Sequence, residues 1–152
     1  MIQNKTIALI AHDRRKADMV DWVEYNASIL LNNNLVCTGT TGKLVNDVLM
    51  DAFDLNGNSI VKSVNSGPMG GDAEIAAMVV NKEIDFCVFF IDDLNPNPHE
   101  ADIQMLLRQC RIHNIPVACN RSTADFIISS DLWEGDYEAT KPIYKEYERT
   151  IN

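Results

Sequence analysis

Five short apolar runs, rich in β-branched residues, punctuate the chain at residues 7–11, 35–38, 59–64, 86–91 and 115–119. Between them the apolar residues recur at helical spacing. Met19, Trp22, Val23, Ala27, Leu30 and Leu31 make the first such stripe, and Val45, Val48, Leu49, Ala52 and Phe53 the second. Ile75, Met78 and Val79 begin a third, and Ile103, Leu106, Leu107 and Cys110 a fourth. Strands alternating with helices predict βαβ units and a parallel sheet covered on both faces. The expected fold is therefore α/β: a single-domain, three-layer sandwich over residues 1–152 with a five-stranded, mostly parallel, Rossmann-like sheet. No linker, repeat or low-complexity stretch divides the chain. The polar segment 131–152 carries Trp133, Tyr137, Tyr144 and Tyr147. It is expected to place a short helix after Pro142 on the outside, against a neighbouring subunit.

In an open parallel sheet, ligands lie beyond the carboxyl ends of the strands. The residues just after each predicted strand therefore outline the site. After the first come His12, Asp13 and Lys16, and after the second Thr38, Gly39, Thr40 and Thr41. After the third comes N-S-G-P-M-G-G-D, residues 65–72, whose glycines and proline fit neither a helix nor a central strand. After the fourth come Asp92 and, further on, His99; after the fifth, Asn120, Ser122 and Thr123.

Hydroxyls and free N–H groups at a helix start form an anion site, or they simply cap the helix. Thr38 to Thr41 with Gly39 between them, Ser66 with Gly67, and the point charge of Lys16 together indicate a phosphate. The spacing matches neither GxxxxGK[ST] nor GxGxxG, which disfavours a nucleotide. Asp72 opens the third helix, either as its cap or as a reactive carboxylate. Asp13, Asp72, Asp92 and Asp102, with His12 and His99, offer acid–base groups, and their spacing leaves a metal-dependent phosphatase open. A phosphorylated receiver domain is disfavoured, because Ala118, Cys119 and Asn120 end the fifth strand without a lysine. His113 reads as structural or solvated.

Composition narrows this picture. Thirteen basic residues against 22 acidic ones give a net charge of −9, which argues against wrapping nucleic acid but not against a local nest for a small anion. Cys37, Cys87, Cys110 and Cys119 show no CxxC spacing, so neither a metal site nor a disulfide framework is expected. The first residues lack signal-peptide architecture, and no run is long enough to span a membrane. A reduced, cytoplasmic setting is the expectation.

Taken together, A-H-D-x-x-K (residues 11–16), T-G-T-T-G (38–42), S-G-P-M-G-G-D (66–72) and P-H-E (98–100) resemble methylglyoxal synthase. The similarity, which includes I-P-V-A-x-N and T-A-D-F, runs over almost the full length. The resemblance implies a lyase that converts dihydroxyacetone phosphate to methylglyoxal and inorganic phosphate through an enediolate, as a glycolytic bypass. It implies no metal or organic cofactor, a methylglyoxal-synthase-like fold, a homohexamer, and inhibition by phosphate. It makes Asp72 the catalytic acid/base and puts His99 at the carbonyl and hydroxyl oxygens. His12, Lys16, Thr38, Gly39, Thr40, Thr41, Ser66 and Gly67 then bind substrate, with Asp13, Asp92 and Asp102 as supporting acids. Two positions depart from the family pattern: Asp93 and Ala101 stand where prolines are usual. A C-terminal arginine that reaches a neighbouring subunit has no aligned counterpart, although Arg149 is near. The alternative is a non-catalytic anion-sensing module of the same fold, akin to the regulatory domain of carbamoyl phosphate synthetase.

Overall fold

A computed structural model describes residues 4–57 and 59–145. Chain order runs β1 (Thr6–Ala11), α1 (Lys16–Tyr25), α2 (Ala27–Leu30), β2 (Asn34–Thr38), α3 (Gly39–Ala52), β3 (Val61–Val64), α4 (Gly71–Val80) and β4 (Phe86–Phe90). It continues through α5 (Glu100–Ile112), β5 (Val117–Ala118), α6 (Arg121–Ile128) and α7 (Asp131–Glu134). The strands form one sheet in the order β3-β2-β1-β4-β5, and every pairing is parallel.

Both faces of this sheet are buried, which is why β1 and β4 read as continuous apolar runs rather than as alternations. On one face Ile7, Leu9, Phe86, Val88 and Phe90 pack with Trp22, Leu30, Leu49 and Trp133. On the other, Ala8, Ile10, Cys87 and Phe89 pack with Ile75, Val79, Ile103 and Leu106. Helices α1, α3 and α6 thus cover one face, and α4 and α5 the other.

Several expected boundaries move. The first helical stripe is two helices, because the buried Asn26 turns its side chain back and Nδ2 donates to the Trp22 carbonyl at 2.9 Å. Strand β3 starts at Val61 rather than at residue 59. Asn46 Oδ1 accepts from both Ser59 Oγ (3.1 Å) and the Ile60 N–H (2.9 Å), which holds those residues off the ladder. At the sheet edge β5 shrinks to two residues, and Cys119 lies just beyond it. Residues 141–144 form no helix. The segment from residue 146 on, with Tyr147 and Arg149, lies outside the described residues.

The strand order reverses between β1 and β4, because β2 lies to one side of this pair and β5 to the other. Such a reversal splays the loops apart and opens a crevice at the carboxyl ends. His12 follows β1 and Asp92 follows β4, so these two residues mark that point.

Candidate functional site

A cavity of about 510 Å³ opens at this switch point. His12, Asp13, Lys16, Thr38, Gly39, Thr40, Thr41, Ser66, Gly67, Asp72, Asp92 and His99 all line it. Asn120, Ser122 and Thr123, which instead begin α6, stay outside the lining, and so does Asp102. It lies in the first turn of α5 and reaches the site through its field.

Two loops build the donor side of the cavity. Thr38 precedes the first residue of α3 in an extended conformation, so the first N–H groups of that helix lack intrahelical partners. Gly39 sits at φ +32°, and a Cβ there would stand 2.8 Å from Ser66 Cα. That close approach brings the Thr38–Thr41 loop directly against the Ser66 loop. The Thr41 hydroxyl is buried and donates to the Ala11 carbonyl at 3.3 Å. Lys16 Nζ donates to the same carbonyl at 3.0 Å and to Asp13 Oδ1 at 2.8 Å. Asp13 is otherwise solvent-exposed, and this contact holds its carboxyl below the usual range.

Asp72 sits differently. The residue that caps α4 is Gly70, at φ +106°, so Asp72 is not the helix cap that its position in the sequence allowed. Its side chain is fully buried, and neither carboxylate oxygen has a hydrogen-bond partner. Burial raises its pKa, and the charge of Asp102 adds to that effect, while His99 opposes it. The start of α4, on which Asp72 lies, favours the ionised form. His99 Nε2 stands 3.6 Å from Asp72 Oδ2, close enough to feel its charge but too far for a hydrogen bond. Gly67 makes this proximity possible: a Cβ there would lie 3.1 Å from Asp72 Oδ1 and 3.3 Å from His99 Nε2.

The two imidazoles face each other edge-on, with ring centroids 5.7 Å apart. His12 Nδ1 accepts the backbone N–H of Asp92 at 2.9 Å. An accepting Nδ1 is unprotonated, so His12 carries its proton on Nε2. That Nε2–H is buried and unpartnered, a donor waiting for an acceptor. Burial, followed by the neighbouring His99, lowers the His12 pKa and keeps the ring neutral. Asp92 is itself buried and closes its own turn by accepting the Leu94 N–H at 3.4 Å. His99 directly precedes α5; Asp93 and Ala101, the two departures from the family pattern, are both exposed and outside the lining.

The cavity also includes Arg14, Asn95, Pro96 and Asn97, which the sequence reading passed over, and Pro68 and Pro98, which it carried only as members of the motifs at 66–72 and 98–100. Each follows a strand end within a loop already of interest, so extending the strand-end rule along the loops would have found them. Among the described residues, no three His, Cys, Asp or Glu side chains converge as metal ligands. In chemical terms the cavity pairs a strained, unbonded carboxylate with two imidazoles, opposite a hydroxyl- and N–H-rich cradle.

Residues 18–119 match the MGS-like domain family. A methylglyoxal synthase of Treponema socranskii is 61% identical over 144 residues, covering 94% of this chain and 89% of the relative. One from Coxiella burnetii (strain RSA 493 / Nine Mile phase I) is 41% identical over 147 residues, covering 97% of both chains. The crystal structure of methylglyoxal synthase from Elizabethkingia anophelis NUHP1 superposes with a TM-score of 0.82 at 42% identity, covering 98% of this chain and 93% of that one.

Proposed function

The chain belongs to the methylglyoxal synthase family, and from that premise we infer that it converts dihydroxyacetone phosphate to methylglyoxal and inorganic phosphate. The observation that carries the reading at the site is the Asp72 carboxylate, buried, without hydrogen bonds, and 3.6 Å from His99. A base that must take a carbon-bound proton is better unsolvated and raised in pKa than satisfied.

Asp72 removes a proton from the hydroxymethyl carbon, and the electron pair moves onto the carbonyl oxygen to give an enediolate. His99, with the Nε2–H of His12, donates to the oxygens where that charge develops. A neutral imidazole suits such an oxyanion, because its remaining proton is closer in acidity to the enediol than that of a charged ring. The hydroxyl on the former hydroxymethyl carbon then gives up its proton to the central oxygen and becomes the aldehyde carbonyl. The double bond shifts to the carbon that bears the phosphate, the C–O bond breaks, and phosphate leaves with the bonding pair. Lys16, Ser66, Gly67 and the Thr38–Thr41 helix start hold the phosphate and so stabilise it as a leaving group. The remaining enol of methylglyoxal takes up a proton at its terminal carbon.

The similar proteins are enzymes rather than regulatory modules, and a sensing module would have no use for an unbonded carboxylate beside two imidazoles. Inorganic phosphate, as product, competes for the same cradle and inhibits. The protein assembles as a homohexamer, which would cover exposed apolar residues such as Phe126 and Leu132. It works in the cytoplasm, where its four unpaired cysteines remain reduced. No helix among the described residues is long and apolar enough to cross a membrane.

The reading is tested by adding dihydroxyacetone phosphate to purified, chelator-treated protein. Methylglyoxal and phosphate should appear in equal amounts. Phosphate without methylglyoxal, or activity restored only by a divalent cation, would replace the lyase with a phosphatase.

A further inference from the structure

Arg14 holds a position that the proposed reaction leaves unused. It lies in the short turn Asp13–Arg15 after β1, is exposed, and lines the cavity. Its neighbours are occupied: Arg15 pairs with Asp18 at 3.6 Å and faces a separate cavity, and Lys16 is bound by Asp13 and the Ala11 carbonyl. Among the described residues no ion pair engages the Arg14 guanidinium. The cavity is otherwise poorly charged for a phosphate dianion. Asp13, Asp72 and Asp92 line it against Arg14 and Lys16, within a protein of net charge −9. Because Lys16 is paired with Asp13, Arg14 is the cation in this lining that no ion pair engages among the described residues.

We propose that Arg14 captures the phosphate group of the incoming substrate and selects dianionic ligands at the mouth of the cavity. The inference rests on the lyase reading and adds a capture step to it. A guanidinium suits the task, because its planar fork meets two phosphate oxygens at once and never loses its charge. Attraction across an open mouth is long-ranged and screened by salt, unlike contact within the cradle. Capture therefore acts on the approach of the substrate and on the retention of phosphate, and leaves the proton transfer at Asp72 untouched.

The test compares wild type with R14Q, R14K and R15Q, by kinetics at low and at physiological ionic strength and by calorimetric titration with inorganic phosphate. R14Q should lower kcat/KM by about tenfold at low salt, through KM, with the loss narrowing as salt rises. Phosphate affinity should fall by a similar factor. R14K should keep most of both properties, and R15Q should match wild type. Arg14 is exposed and unpaired, so R14Q removes no contact on which folding depends. The proposal is overturned if R14Q binds phosphate and turns over as wild type does, if the loss falls on kcat, or if R15Q loses as much. A wild type that does not turn over dihydroxyacetone phosphate would sink the lyase reading, while the phosphate titration would still decide the role of Arg14.

Discussion

Replacing Asp72 by Asn should abolish activity and at the same time make the protein more stable. The carboxylate is fully buried, neither oxygen is hydrogen-bonded, and burial raises its pKa. An acid whose folded pKa lies above its unfolded value costs stability once the pH exceeds the unfolded value. The cost is absent where both states are protonated and complete above the folded pKa. Leaving a buried polar group unsatisfied costs about 1–3 kcal/mol, and more when it is charged. Asn keeps the size and removes the charge, and since Gly70 caps α4, no capping bond is lost. The expected gain at neutral pH is therefore about 1–3 kcal/mol, which for a chain of this length raises Tm by about 2–12 °C. Thermal denaturation of wild type and D72N without ligand, at neutral pH and again in acid, measures it. The gap between the two proteins should shrink as the pH falls through the interval between the unfolded and folded pKa values. A D72N protein that melts at or below wild type at neutral pH would refute the claim that this carboxylate is held in strain.

Three further outcomes are expected from the geometry. His99→Gln should reduce kcat by about 2.7–4 kcal/mol of lost transition-state stabilisation while sparing phosphate affinity; a near-normal kcat would leave the oxyanion to His12 alone. Lys16→Met should raise KM by the equivalent of about 1.5–3 kcal/mol for a charge-assisted contact and weaken phosphate inhibition, and an unchanged KM would remove Lys16 from the cradle. The acid limb of kcat/KM should lie above the ordinary aspartate range, because activity is lost as Asp72 takes up a proton at its raised pKa. Asp102→Asn should move that limb to lower pH, since the Asp102 charge raises the Asp72 pKa and is not among the influences on His12. A limb that stays in place in the Asp102→Asn variant would assign it to another group.

Much of this arrangement is legible in the sequence because burial on both faces leaves long apolar runs. Strands β1 and β4 are conspicuous for that reason, and in a parallel sheet every strand end then points toward one rim. Locating Thr38, Ser66, Asp72 and His99 on that rim needed only the alternation of strands and helices. Local interactions that override periodicity were not legible. Asn26 splits a stripe that reads as one helix by bonding to Trp22, and Asn46 trims β3 from a distance. Helix α6 is short and buries only Ala124 and Ile128, but its start is signalled by Asn120, whose Oδ1 accepts the Thr123 N–H at 3.0 Å. The role of Asp72 at α4 turned on the left-handed conformation of Gly70, which the two adjacent glycines permit but do not specify. The tautomer of His12 depended on a backbone N–H eighty residues away in sequence, a pairing only the fold creates.

The central claim is that Asp72 starts the reaction by taking a proton from the hydroxymethyl carbon of dihydroxyacetone phosphate. It is tested most directly with substrate deuterated at both positions of that carbon, given to wild type and to D72N free of wild-type contamination, with the products read by NMR. Wild type should release phosphate and methylglyoxal together, with one deuterium kept on the aldehyde carbon and the other gone from it, and D72N should give neither product. Phosphate and methylglyoxal released by D72N, or deuterium lost from the hydroxymethyl carbon of the substrate to solvent in the presence of D72N, would contradict the account.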